Sequence, residues 1–229
     1  RKVSDYDNTS VRAQLLFDPG EDLQIRLIGD YSAQNAECCI QPLADVFTHY
    51  DNGARIPNNF YDRVGRQGYE PLPLDAFARK VDIDAPISAD MNSYGVSGQA
   101  DWELGAGILT SITAYRGWAW NPANDADGTP LSVFTLAQQE NRQRQFSQEL
   151  RFASQESEVL DYVVGAYYLW QRNEGISNIA YGADAADWFL PTVPAVVGEA
   201  ALSGFGYETE SAPESDSYAA FGRNAGQIN

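Results

Sequence analysis

The sequence predicts an antiparallel all-β fold of about seven strands, and three observations carry that expectation. The chain has 13 Tyr, 10 Phe and 5 Trp against one Met and one His, a mixture that suits pleated, half-buried surfaces better than helices. Apolar and polar residues alternate with period two in several stretches. Those stretches come in pairs, each pair joined by a compact turn.

In the first pair Val11, Ala13, Leu15 and Phe17 alternate with Arg12, Gln14 and Asp18; "DPGED" makes the turn, and Leu23, Ile25 and Leu27 then alternate with Gln24, Arg26 and Asp30. In the second pair Tyr94, Val96, Ala100 and Trp102 alternate with Ser97, Gln99 and Asp101. A turn at "ELGAG" leads into "ILTSITAYRGW", whose two faces are both mixed, so alternation leaves its inward side open.

The third pair sets Phe146, Leu150 and Phe152 against Gln145, Ser147, Glu149 and Arg151, then turns at "SQESE" into "DYVVGAYYLWQ". There Tyr162, Val164, Ala166, Tyr168 and Trp170 share the face that suits lipid. Asp161, Val163, Gly165, Tyr167, Leu169 and Gln171 share the face that suits a lumen. The window "ENRQRQFSQELRFAS" also places Phe146, Leu150 and Ala153 at helical spacing; its Val-, Tyr- and Trp-rich partner decides for strand. A seventh strand begins at "SDSYAAFG".

Between the pairs, residues 33 to 92, 119 to 143 and 173 to 214 read as long connections rich in Pro, Gly, Asn and Asp. Structureless loops beyond about 12 to 15 residues count against an ordinary compact domain. Short turns alternating with long loops are the layout of an up-and-down transmembrane β-barrel, with tight periplasmic turns and long extracellular loops. No window of about 18 apolar residues provides a transmembrane helix, which leaves β-spans untouched. Arg1-Lys2-Val3 is not followed by the apolar core of a signal peptide.

With 32 acidic against 15 basic residues and a formal charge of -17, phosphate backbones would be repelled, and nucleic acid is not an expected partner. The only cysteines, Cys38 and Cys39, are adjacent. Within one chain they can bond only to each other, and a reduced or cross-chain pair is the alternative. His49 is the single histidine and sits in a loop, so no catalytic triad or two-His zinc site is visible. No catalytic residue, cofactor or enzymatic activity is expected.

"RQFSQELRFAS", "LDYVVGAYYLWQ", "DSYAAFG", "LTSITAYRGWAWNPANDADGTP" and the earlier "SVRAQLLFDPGEDLQIRLIGDYS" together resemble the barrel of TonB-dependent outer-membrane receptors. Gln145-Phe146-Ser147-Gln148-Glu149-Leu150-Arg151 and the strand Asp161 to Tyr168 are the most specific pieces. The resemblance covers most of the chain outside its long loops. It implies a partial receptor barrel over residues 1 to 229, in the outer membrane of a Gram-negative cell, serving active uptake of a ferric siderophore or similar large nutrient. Implied partners are outer-membrane lipid, lipopolysaccharide, the nutrient, and the TonB complex through a plug. The sequence has no plug-like region, TonB box or terminal aromatic strand; about seven strands is a third of a 22-stranded barrel. The expectation is therefore an internal or truncated fragment that should not transport anything by itself.

On this reading Arg12, Arg26, Glu149 and Arg151 face the lumen, and Trp102, Trp118 and Trp170 form an interfacial girdle. Loop aromatics Tyr50, Tyr61, Tyr69, Trp188, Phe189 and Tyr207 are candidate ligand contacts, against the simpler alternative that they pack the loops. Asp125 and Asp127 in "NDADG" weakly resemble a calcium loop but lack its later Glu; no metal site is expected. The rival reading is a soluble β-sandwich binding glycan or peptide through its aromatic loops. A sandwich needs matching inner faces from two sheets, whereas a barrel wall needs one continuous outer belt.

Overall fold

The computed structural model describes residues 5–155 and 160–226. Arg1-Lys2-Val3, most of the turn at "SQESE" and the last three residues lie outside the described residues. Eight strands form one antiparallel sheet: β1 (Asp5–Gly20), β2 (Leu23–Glu37), β3 (Ser88–Leu104), β4 (Gly107–Ala123), β5 (Phe134–Ser154), β6 (Leu160–Tyr181), β7 (Gly206–Ser211) and β8 (Glu214–Gly226). Each pairs with the next as far as β7, and β8 pairs β6 again.

β7 lies along residues 175–180 of β6 and β8 along residues 160–172. The two are therefore one line of chain interrupted at Ala212 and Pro213, where proline has no ladder N–H to donate. The Asn173 N–H donates to the Pro213 carbonyl at 2.9 Å and keeps the line in place. Counted this way, the seven expected strands are present. The sheet is open, because β1 and the β7–β8 line are not paired to one another.

The hairpin turns fall where alternation put them, at Glu21–Asp22 and Gly105–Ala106. The connections are shorter than expected, since residues 119–123 and 134–143 are strand. That part of β5 reads "FTLAQQENRQ", polar on both sides from Gln138 onward, so it carries no sustained period-two signature although its ladder with β6 runs unbroken from Leu136. The window with helical spacing is strand throughout.

The all-β expectation needs a correction in the loops, which hold α1 (Phe60–Arg66), a 3₁₀ turn at Ala76–Ala78, α2 (Ala185–Phe189) and α3 (Ala195–Leu202). α1 starts at a capping box. Asn59 accepts from the N–H groups of Tyr61 and Asp62, and Asp62 accepts from the Asn59 N–H, so two orphan donors are satisfied reciprocally. Cys38 and Cys39 are bonded to each other just beyond β2. Cys38 is buried against Ala36 and Ala89.

Candidate functional site

Register across the ladders assigns every strand residue to one of two faces. One rung runs Leu23, Trp102, Leu109, Phe152, Val164; another runs Leu27, Gly98, Thr113, Gln148, Tyr168, Tyr218. With Val11, Leu15, Phe17, Val96 and Leu150 on the same side, these rungs make one continuous apolar belt. It is uncovered: Val11, Leu15, Val96 and Tyr218 are 60% exposed or more. In the belt's middle the polar side chains satisfy one another, Gln148 donating to Ser111 Oγ and accepting from Thr113 Oγ1.

Two glycines let large side chains lie flat on the sheet. A Cβ on Gly117 would sit 2.6 Å from the Tyr94 ring on the apolar face, and one on Gly165 would sit 2.4 Å from the Phe221 ring on the other. Only glycine permits backbone to be approached this closely.

At the long-loop end of β5 and β6 the apolar face gives way to charge. Arg144 and Arg172 are paired across β5 and β6, and Glu174 meets both guanidinium groups at 2.9 Å. Arg142 and Glu140 follow, 3.6 Å apart.

The opposite face is polar. Arg12 and Arg116 both reach Asp30, at 3.6 and 2.8 Å, and Arg151 lies 3.5 Å from Glu149. Asp101 accepts from Gln99 and Thr110 at 2.6 and 2.7 Å. Arg26 lies on this face opposite Gln99. Arg12, Arg26, Glu149 and Arg151 thus share one face with Asp101, joined by Arg116, which alternation alone did not single out.

The tryptophans divide between the faces. Trp102 and Trp170 lie on the apolar belt, Trp170 six residues further along β6 than the rung of Trp102; at about 3.3 Å per residue that is roughly 20 Å. Trp118 corrects the girdle expectation. Its register partners Ser93 and Gln143 put it on the polar face with Trp120 and Arg116, and its indole N–H donates to Gln143 Oε1.

The three long connections meet in a separate small core. Val64 of α1, Val133 before β5, and Ala185 and Trp188 of α2 are all buried, with Phe60, Tyr69, Leu131, Phe134, Tyr181 and Leu202 packed around them. Trp188, expected as a ligand contact, is 5% exposed. It is the core's largest side chain, edge-on to Phe60 and under the Arg63 guanidinium at 5.4 Å. Burial there pushes the Arg63 pKa down. Polar stitches cross between loops: Arg66 Nη2 donates to the Asp187 carbonyl at 2.9 Å, Gln67 to the Asp187 carboxylate at 3.0 Å, and the Ser132 N–H to Asp184 at 2.8 Å.

The remaining loop aromatics do not converge on one site. Phe189 packs against Phe134 and Tyr181, and Tyr69 donates to Asp82 at 3.2 Å beside the core. Tyr61 stands edge-on to Phe60, Tyr50 closes a local turn with Gly53, and Tyr207 is in β7 opposite Ile179. Asp125 and Asp127 serve as backbone acceptors. Asp125 takes the Gly128 and Ala85 N–H groups, and Asp127 takes those of Thr129 and Phe134. Among the described residues no group of three or more His, Cys, Asp or Glu side chains is placed to hold a metal ion.

No protein-family model matches the chain, and no curated protein sequence matches it. Among solved structures it is similar to a chain of the RagAB peptide importer in its closed-closed state, at 12% identity and a TM-score of 0.47. The similarity covers 96% of this chain and 26% of that one, so the chain spans about a quarter of that neighbour's length.

Proposed function

We propose that this sheet is part of the wall of an outer-membrane β-barrel of the TonB-dependent receptor type, working in transport and binding rather than catalysis. The observation that carries the reading is the continuous apolar belt on a single uncovered sheet, backed by a polar face of paired charges. Each feature follows from a bilayer outside and a wet lumen inside. On β6 the belt runs from the rung of Trp102 to Trp170, roughly 20 Å along a strand that such a barrel tilts by about 35–45°. The Arg144–Glu174–Arg172 cluster then marks where lipid hydrocarbon gives way to headgroups. A β-sandwich would bury this belt under a second sheet, and the described residues form one sheet.

In a bilayer the free edges of β1 and β8 must be paired, so further strands of the barrel belong on both sides. The cargo on this reading is a ferric siderophore or similarly large nutrient, with TonB coupling acting through a plug. The test uses brominated lipids on the protein reconstituted in vesicles. Trp102 and Trp170 should be quenched and Trp118 and Trp120 should not. Recovery from cells as a soluble, cooperatively unfolding monomer would overturn the proposal, and uptake of labelled ferric siderophore, compared between cells with the intact gene and cells in which it is deleted, tests the cargo.

A further inference from the structure

The connection between β2 and β3 spans residues 38–87 and opens on the Cys38–Cys39 bridge. Its far part carries α1 into the loop core through Phe60, Val64 and Tyr69. Its base is closed by a second, smaller cluster. Cys38, 3% exposed, packs with Ala36 near the end of β2 and with Ala89 at the start of β3, and the Ala36 N–H donates to Asp90 Oδ1 at 3.0 Å. One cysteine of the bridge thus joins the two ends of the excursion.

The two cysteines differ in their surroundings. Cys38 is buried and Cys39 is exposed, so a reagent in solution meets the bridge from the Cys39 side. Cys39 also sits at φ 79°, in the left-handed region that residues other than glycine seldom adopt. The bond to Cys38 ties its side chain back and holds that conformation. Exposed disulfides are the ones that exchange with external thiols.

We propose that Cys38–Cys39 is a thiol-exchange latch at the base of this connection, opened by a small external thiol that attacks Cys39 with Cys38 as the leaving group. The attacking thiolate forms a bond to Cys39 Sγ, the Cys38–Cys39 bond breaks, and Cys38 leaves as a thiolate that takes up a proton. A second thiol then attacks the mixed disulfide at its external sulfur, which releases Cys39 as a thiolate and leaves the reductant as its own disulfide. Two electrons pass to the protein, and two thiol groups are oxidised. With the bridge open, Cys39 returns to negative φ and the chain leaving β2 changes direction, so the two ends of the connection come apart. The loop core contains no sulfur and keeps its packing. The latch works in the same way whatever solvent the sheet meets.

The test treats the whole polypeptide in vesicles with dithiothreitol, without denaturant. The bridge should be reduced, as read by peptide mass spectrometry after acid quenching. Hydrogen exchange should then rise at residues 36–41 and 87–90 and stay unchanged at residues 60–69 and 182–190. Cys39→Ala, which opens the bridge with no reductant present, should reproduce that rise. The direction of attack is read from two further variants. Cys38→Ser leaves only Cys39, which N-ethylmaleimide should label at least about tenfold faster than the Cys38 left in Cys39→Ser. Three results would each overturn the latch: a bridge that dithiothreitol reduces only in denaturant, equal labelling of the two single-cysteine variants, or exchange at residues 36–41 and 87–90 that reduction leaves unchanged.

Discussion

The loop core and the sheet place their apolar residues in opposite ways. In the loop core Val64, Val133, Ala185 and Trp188 are at most 5% exposed, and the half-buried Asp62 and Asp187 and the exposed Arg66 surround them: apolar inside, polar outside, the arrangement that water dictates. In the sheet Val11, Leu15, Val96 and Leu150 stay open, while Arg12, Asp30, Glu149 and Arg151 pair on the other face. One chain therefore carries two hydrophobic codes. On the barrel reading proposed above, the two regions meet different solvents, and exposure of apolar side chains in the sheet is then a property of its surroundings rather than a packing failure.

The largest expected effect breaks the comparison on the loop side. Trp188→Ala removes the biggest side chain of the small core and should destabilise it by about 3–5 kcal/mol. Hydrogen exchange should rise across residues 58–69 and 182–190 and stay unchanged in β2 to β4. Faster exchange throughout the sheet would mean that the two regions fold as one unit.

The next largest breaks it on the sheet side. Leu150 lies mid-belt on β5 and is 47% exposed. Leu150→Arg should cost about 2–4 kcal/mol in a bilayer if it lies near the midplane, measured by denaturant unfolding of vesicle-bound protein. If water were the neighbour, the same exposed substitution would fall within about 0.5 kcal/mol. A value that small would put the sheet under the same code as the loops.

A smaller substitution sharpens the loop side. Asn59→Ala deletes the side-chain cap of α1 and should cost about 1 kcal/mol, again read as local hydrogen exchange, with Asn59→Asp restoring most of it.

Most of the sheet was legible because strand faces are set by a local rule, the period of two. That rule placed Arg12, Arg26, Glu149, Arg151, Trp102 and Trp170 correctly relative to one another. It failed for Trp118, since "ILTSITAYRGW" is mixed on both sides and only pairing with Ser93 and Gln143, which are distant in sequence, fixes its face. It failed for residues 134–143, where both faces are polar from Gln138 onward. The loop core was illegible for a different reason. Val64, Val133 and Trp188 come from three separate loops, and no periodicity within any one of them signals that they meet.

The finest probe of the loop core is pH. Asp127 is largely enclosed, and burial, with Asp125 adding repulsion, pushes its pKa up from 3.8 to about 6, although Thr129 and Phe134 hydrogen-bond to it. Asp84 is raised for the same reason, burial first and Asp125 next. A carboxyl whose folded pKa exceeds its unfolded one is protonated more readily in the folded state, so its contribution is complete below about pH 4 and is lost as pH rises through about 6. Partial exposure damps the size of the change. Hydrogen exchange of residues 124–134 should therefore accelerate between pH 4 and pH 6 after correction for the intrinsic rate, and Asp127→Asn should flatten most of that dependence. The ladder amides of β2 to β4 should show no such loosening over the same interval. Loosening of both regions together would erase the distinction between a core that excludes water and a wall that lines it.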